Sequence, residues 1–531
     1  MALRLPDRRR GTLLGLTFVV AFCSIVYELI YSEMLRVLYG GTVLRYSITI
    51  GLFLFSLGVG AFCYRYLSDV ERNFFRVEVA LAVVGPLGLL LMVGVNSAPA
   101  VQFPGKYELT LVVSHLPIVV VGVLSGLEIP FLSELIDGGE DSFSEVLGVD
   151  YFGSLVGTVV YALVLYPTLG LVTAIFLLGF ANAVVALLFG YEGEFEFVSP
   201  TLLAACLLVT ASYAGVIYAG DSAEQAVERT YIGAQIEAEY PPGQASVSIV
   251  EIRRTAHQRV VIYDRTLAAT ADSPRRTDRC LRLDGQLQLC ESWSDAYHRG
   301  LVDVPMTMYE SSPETRVLLV GGGDHIAANR LRSHNVTVDQ VDLDGEFLDY
   351  TRDHPYFTQY HDDAYQYERL SIYETDALSY LRRNDRQYDV VLLDLPGARN
   401  DEMLPLYSTE FYRLLRGHLT DEGVVVSWGY PQEQFTPHYQ SYMETVGAAG
   451  FDRHVTYNTW DDTDGDGTAE RGERFYVLAP GERPAPNLSS ASTISDTGRQ
   501  RYRDARWRPT PEYNGVEPNS IFDPNYDIVI A

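Results

Sequence analysis

Long apolar runs recur through the first 220 residues, and nothing else in the sequence restricts the fold as tightly. They fall at roughly residues 12–35, 43–64, 77–96, 108–135, 151–167, 169–190 and 200–219. Each is close to the roughly 20 residues an α-helix needs to cross the hydrocarbon core of a bilayer. Backbone polar groups must be satisfied internally in lipid, so the runs read as a transmembrane helical bundle over 1–220, with about seven spans. The first run continues into ELIYSEMLRVLYG and is too long for a cleavable signal peptide. Pro117 and Pro130 are tolerable in a bundle whose neighbouring helices satisfy the freed carbonyls. Arg4, Arg8, Arg9 and Arg10 precede the first run, and Arg65, Arg72 and Arg76 follow the second. The alternate loops hold only Arg36, Arg45 and Lys106 near their ends. Basic loops favour the cytoplasm, so the expectation is a multi-pass protein of the cell membrane with a cytoplasmic N-terminus. Seven spans put the rest of the chain outside, and six keep it inside. Glu28 and Glu128 lie within apolar runs, where a charge is costly; such acids sit near the interface, pair within the bundle or carry function.

Most of the charge belongs to the remainder of the chain. The formal net charge is −28, from 68 acidic and 40 basic residues. Such a surface repels phosphate backbones, so nucleic acid is not an expected partner, whereas the lipid bilayer is. Scarce lysine beside abundant Asp and Glu is a halophilic composition. Cys23, Cys63 and Cys206 fall in apolar runs and read as packing residues. Cys280 and Cys290 flank LRLDGQLQL, whose Asp-Gly turn folds a hairpin and brings them near each other. A disulfide, on an oxidising side, and two free thiols both remain open. A homo-oligomer is compatible with the sequence, which does not give a number of copies.

After a small β-rich region expected over 240–305, strands alternate with helices over 306–482, and 483–531 reads as an irregular tail. The strands are RVLLV, VTVDQVDLD, RLSIYETDA, YDVVLLDLP, GVVVSWGYP and RFYVLAP, with helical stretches such as STEFYRLLRGHL between them. Alternation of this kind implies a mostly parallel, doubly wound α/β sheet of Rossmann-like, methyltransferase type. Ligands on such sheets bind beyond the carboxyl ends of the strands.

The candidate cofactor residues lie at those ends. Gly321, Gly322 and Gly323 follow the first strand and let a ligand approach the backbone. Asp342 lies about twenty residues on, where an acid accepts from ribose hydroxyls. Asp376, before Ala377, ends the third strand within reach of an adenine amino group. The absence of a downstream phosphate-binding lysine argues against a Walker-type NTPase. The absence of G-x-G-x-x-G argues for an adenosyl group without phosphates.

Taken in order, these motifs resemble the spermidine synthase (polyamine aminopropyltransferase) family, specifically its membrane-fused members. The likeness runs from about Ala245 to Gly429 and, more weakly, through the apolar half, where SIVYELIYSEMLRVLYG is similar to the opening helix of the fused members. VLLVGGGD, VDLD, TDA and YDVVLLDLP look like the family's glycine loop, ribose segment, adenine pair and catalytic strand. The resemblance implies aminopropyl transfer from decarboxylated S-adenosylmethionine to a small-molecule amine such as a polyamine. It places the catalytic base on Asp394, the propylamine contact on Asp324 and a cofactor contact on Gln258. It places Asp284, Gly285 and Gln288 on a substrate hairpin and His298 on a substrate contact. The chain departs from the family at His257, Trp293, Ser294 and His325, and at Gly397, where a second aspartate is usual. Another S-adenosyl-dependent transferase, such as a methyltransferase, and a non-catalytic nucleoside- or polyamine-binding membrane sensor are the alternatives.

A separate motif lies between TYNTW and RFYVLAP. Asp462, Asp464, Asp466, Thr468 and Glu473 fit a calcium loop, with Gly467 at its turn. The expectation is a calcium-binding hairpin insertion that stabilises the fold.

Overall fold

The structure, a computed structural model, describes the chain apart from residues 1–7, 99–104, 137–139, 194, 197, 241–242, 270–274, 399, 462–470, 485, 487–504 and 530–531. It divides into two compact units, Met1–Ile249 and Val250–Ala531.

The first unit is helical: α1 (Arg8–Tyr39), α2 (Val43–Cys63), α3 (Val70–Asn96), α4 (Lys106–Ile136), α5 (Glu140–Val160), α6 (Tyr166–Glu192) and α7 (Pro200–Glu239). Among the described residues, six helices are long and apolar enough to cross a membrane, which is compatible with a multi-pass membrane protein. One of the six runs from Ser142 to Glu192 and joins α5 to α6. Its 51 residues far exceed one crossing of a core about 30 Å thick, but the backbone breaks at Gly170, where φ is 72°. The seven apolar runs therefore lie on six long helices, one of them broken in two. The last helix does not stop where its apolar run stops. It bends at Gly220 and continues as a polar stretch to Glu239.

Small residues let the helices approach closely. A Cβ on Gly60 would lie 2.1 Å from the carbonyl of Val123, and one on Gly126 would lie 2.1 Å from that of Leu57. The α2 and α4 backbones thus touch where a larger residue would hold them apart. Apolar side chains such as Leu44, Phe55, Leu163 and Leu208 point outward. Burial explains nothing at these positions, whereas lipid would.

The second unit contains two sheets, apart from residues 245–249 at the start of the first strand, which fall in the first unit. A small one is built from β1 (Ala245–Arg254), β2 (Arg259–Leu267), β3 (Arg276–Leu283) and β4 (Gln286–Cys290), in that order. Asp284 and Gly285 turn β3 into β4 with φ of 48° and 78°, the left-handed pair that a two-residue hairpin needs. Cys280 and Cys290 face each other across the hairpin as a disulfide.

The main sheet holds β5 (Arg316–Gly321), β6 (Thr337–Asp342), β7 (Leu370–Glu374), β8 (Tyr388–Asp394), β9 (Leu419–Gly429), β10 (Arg453–Asp461), β11 (Arg471–Ala479) and β12 (Arg508–Pro509). Their order is β12-β10-β11-β9-β8-β5-β6-β7. The five from β9 to β7 are parallel, and β11, β10 and β12 add an antiparallel edge. Val317–Val320, Val390–Leu393 and Val424–Val426 are buried. Apolar clusters cover both faces, which is why these strands read as continuous apolar runs rather than alternating ones. From β5 the chain winds outward through β6 and β7, then returns to β8 on β5's other side. That reversal opens a crevice between the carboxyl ends of β5 and β8.

The described part of the tail is irregular in path but held in place. Asn519 is fully buried, and its amide donates to the carbonyls of Leu404 and Tyr407, both at 3.0 Å. Ile528 is fully buried as well, and its carbonyl meets His438 Nδ1 at 2.5 Å. The polar composition of the segment concealed this anchoring.

Candidate active site

The glycine loop sits in the crevice because only glycine fits there. Gly321 and Gly322 have φ of 86° and 73°, and a Cβ on Gly321 would lie 2.1 Å from the Asp394 carbonyl oxygen. Gln340 on β6 clamps the loop, donating to the carbonyls of Gly321 at 3.1 Å and Gly322 at 2.7 Å. His325, at the end of the loop, adopts φ of 61° and is fully buried. Burial pushes its imidazole down to about 4, so it is neutral and packs against His361 and Tyr365.

Asp342 ends β6 beside this loop. A Cβ on Gly323 would lie 3.0 Å from Asp342 Oδ2, so loop and carboxylate are in close register. Burial is the main cause that pushes the Asp342 carboxyl up to about 6, opposed by backbone hydrogen bonds from Asp344 and Gly323. Gln258 does not reach Asp342 directly. Its amide donates at 2.8 Å to Asp344 Oδ2, which also accepts from Thr255 Oγ1 at 2.6 Å. Asp344 in turn caps the following helix through Phe347 N, so one acid ties β2's entry loop to the end of β6. Asp376 is also a cap, accepting from Ser379 N at 2.7 Å, with Ala377 buried next to it.

Across the crevice stands Asp394, the last residue of β8 and the register partner of Gly321. Its Oδ1 accepts a 2.9 Å hydrogen bond from Tyr297, and its Oδ2 is enclosed without a partner. Asp324 Oδ2 lies 3.8 Å from His298 Nε2, which also lacks a hydrogen-bond partner. One atom each of His298, Asp324 and Asp394 falls within 4.8 Å of the others. Burial first, and then the charge of Asp324, push the Asp394 carboxyl up to about 8; the Tyr297 hydrogen bond opposes the rise. Burial holds His298 below its ordinary value, so its imidazole is neutral. Its Nδ1 is occupied by the carbonyl of Ser294 at 2.7 Å, which leaves Nε2 to face Asp324. The cluster therefore presents a negative concavity with unfilled acceptor capacity, suited to an ammonium or to a nitrogen that must lose a proton.

The hairpin residues divide in two. Asp284 Oδ1 accepts from Arg259 N at 2.9 Å, and with Gly285 it forms the turn. Gln288 lies at a bulge: Leu287 pairs with Arg282 and Leu289 with Leu281, so Gln288 has no register partner. A bulge re-aims its side chain, a feature that strand periodicity does not reveal.

The position of the usual second aspartate is closed by aromatic rings. Gly397 faces Tyr407, Trp428, Tyr430, His438 and Tyr442 across a narrow gap. A Cβ on Gly397 would lie 3.0 Å from the Tyr430 hydroxyl. Trp428 Nε1 donates to the carbonyl of Leu395 at 2.7 Å and holds the loop after Asp394. Trp293 and Ser294 are both buried. Sequence reasoning gave no individual role to three groups: Tyr297, Gln340 and, within the VDLD segment, Asp344. Tyr297 was visible as the residue before His298, and the other two only as polar residues on and just after a strand that also carries Asp339 and Asp342. Of the calcium-loop residues, Asp462, Asp464, Asp466 and Thr468 lie outside the described residues; Glu473 sits on β11 opposite Thr459.

Comparison with known proteins gives a consistent set of likenesses. Residues 294–457 match the family described as the spermine/spermidine synthase domain. The chain is 30% identical over 536 residues to polyamine aminopropyltransferase 1 of Streptomyces coelicolor, covering 97% of this chain and 93% of that protein. It is 28% identical over 419 residues to the polyamine aminopropyltransferase of Oceanobacillus iheyensis, covering 77% of this chain and 75% of the relative. A solved spermidine synthase from Thermotoga maritima aligns with 50% of this chain and 80% of its own, at 18% identity and a TM-score of 0.35.

Proposed function

The chain belongs to the polyamine aminopropyltransferase family, and from that premise we propose that its second unit transfers the aminopropyl group of decarboxylated S-adenosylmethionine to an amine. The observation that carries the reading is the convergence of Asp394, Asp324 and His298, with Asp394 Oδ2 enclosed and unpartnered.

The residues fit the adenosyl substrate. Asp342 accepts the ribose hydroxyls, the Gly321–Gly323 backbone lies along the nucleoside, and Gln258 reaches it from its anchor on Asp344. Asp376 and Ala377 stand at the adenine end, and Asp324 holds the propylamine. An aliphatic ammonium has an ordinary pKa near 10.4 and no lone pair, so the acceptor must lose a proton before it can attack. Asp394 takes that proton. The nitrogen lone pair forms a bond to the propyl carbon next to sulfur, and the carbon–sulfur bond breaks. Its electron pair neutralises the sulfonium, and methylthioadenosine leaves. The sulfonium is already a good leaving group, so the site has only to orient the two partners and remove the proton. A base pushed up to about 8 is matched to that task near neutral pH.

His298 and Gln288 face the acceptor. The aromatic closure around Gly397 supplies no carboxylate there, so the far end of the acceptor is held differently from that of a diamine gripped by two aspartates. Asp462, Asp464, Asp466, Thr468 and Glu473 hold calcium as a stabilising ion. The first unit lies in the lipid bilayer with its N-terminus cytoplasmic. A reporter on the C-terminus reads which side the second unit occupies.

Incubating the purified protein with decarboxylated S-adenosylmethionine and a panel of amines should release methylthioadenosine, and Asp394→Asn should abolish the release. Equal release from both proteins would reject the assignment, and a methylated product would identify a methyltransferase.

A further inference from the structure

The helical unit encloses two carboxyl groups in its apolar interior. Glu78 on α3 is 0% exposed and Glu128 on α4 is 3% exposed. Their side chains are within hydrogen-bonding reach of each other. Two further helices face them. On α6, Asn182 donates to Glu78 Oε2 at 2.9 Å; on α1, the Tyr27 hydroxyl donates to Asn182 Oδ1 at 3.1 Å. The other titratable groups around the pair are Cys23 and Tyr27 on α1 and Asp150 on α5. None of them is a cation.

Glu78 Oε1 and Glu128 Oε1 are each enclosed with no hydrogen-bond partner. With both carboxyls ionised these oxygens have no donor, in a place where an uncompensated charge is costly.

The chemistry leaves little choice. A carboxylate only accepts hydrogen bonds, so two carboxylates in contact repel, and a hydrogen bond between two carboxyls requires a proton on one of them. Asn182, oriented by Tyr27, donates to Glu78 and so stabilises the ionised form on that side, which leaves Glu128 to carry the proton and donate. We propose that Glu78 and Glu128 share one exchangeable proton inside the helical unit, which makes that unit a proton-binding element as well as an anchor.

The test is infrared spectroscopy on the full-length protein in lipid nanodiscs at neutral pH. The expected result is a carbonyl stretch of a buried protonated carboxylic acid that shifts in deuterated buffer, is lost in Glu128→Gln and moves in frequency in Glu78→Gln, where the acceptor of its hydrogen bond is replaced. A wild type without such a band overturns the proposal, as does a band that is the same in both variants as in wild type. A band that never shifts in deuterated buffer shows a static proton and also overturns it. A band displaced by sodium or potassium chloride at fixed pH, and not by matched choline chloride, makes this a metal-cation site instead. If the Gln variants fail to fold, the wild-type band and its response to deuterium and to salt still decide.

Discussion

Tyr297 donates a 2.9 Å hydrogen bond to Asp394 Oδ1 and leaves Oδ2 of the same carboxyl enclosed and unpartnered. The two residues are 97 positions apart in the chain. Burial and the charge of Asp394 push the Tyr297 hydroxyl well above its ordinary value, so it is a permanent donor here. It locks the carboxyl's rotation and directs the free oxygen into the crevice.

Tyr297→Phe should therefore weaken proton removal without emptying the site. A hydrogen bond to a charged group contributes about 1.5–3 kcal/mol, equivalent to a fall of roughly 10- to 100-fold in kcat. With the adenosyl group placed along the glycine loop as proposed, its KM should change little. Losing the donor also removes the one influence that lowers the Asp394 pKa, so the acidic limb of the kcat profile should move to higher pH. A lower kcat with an unmoved limb would show that Tyr297 only packs.

Stability of the ligand-free protein should fall as pH rises from the ordinary carboxylate range through about 8. The folded-state pKa of Asp394, about 8, lies above its unfolded value, so the folded state binds more protons across this window. The stabilising contribution is complete below the unfolded value and is lost as pH passes the folded one. Asp342, pushed up to about 6, adds to the trend in its lower part. Thermal unfolding of Asp394→Asn between about pH 5 and 8 should show a flatter dependence than wild type. Decarboxylated S-adenosylmethionine should raise the midpoint most where Asp394 is ionised.

Much of this site was readable because strand ends are readable. A buried parallel strand is a short apolar run, so the polar residue that closes it, Asp342 or Asp394, marks the carboxyl edge where ligands bind. The glycine loop was readable for a related reason, since three successive glycines at a strand end have few uses other than close approach. Groups that act through another residue were hidden. Asp344 looks like a solvated acid until Gln258 and Thr255 are seen to converge on it. Gln288 looks like an ordinary strand residue until the bulge appears. Glu78 sits at the polar start of its apolar run, where nothing distinguishes it until Glu128 arrives from another helix. Asn519 belongs to a segment whose composition resembles disorder, yet its amide closes two backbone carbonyls.

The Cys280–Cys290 disulfide ties the hairpin that carries Gln288 to the segment leading into Tyr297. Closing a loop of this length stabilises a fold by about 2–3 kcal/mol in the chain-entropy account. Cys280→Ser with Cys290→Ser should lower the unfolding free energy of the second unit by that amount, and a thiol reductant should do the same to wild type. The effect on Km for the amine should exceed that on KM for the adenosyl substrate, because the bulge and not the glycine loop depends on the bridge. Equal effects would mean the disulfide supports the fold uniformly.

Restoring the family's missing acid should not restore a diamine site. In Gly397→Asp the new Cβ would lie 3.0 Å from the Tyr430 hydroxyl and 3.5 Å from the Trp428 ring. Trp428 is held by its hydrogen bond to Leu395, and Tyr430 packs against Phe435 and His438, so neither ring yields freely. Overpacking of this kind costs about 1–3 kcal/mol, and a carboxylate among rings without a cation adds desolvation. The variant should melt lower and show no gain in putrescine turnover. Adding Tyr430→Ala, which vacates the space at the cost of its packing on Phe435 and His438, should bring putrescine turnover above that of either single variant. If Gly397→Asp alone gains putrescine turnover at unchanged stability, the aromatic closure is not what sets the acceptor.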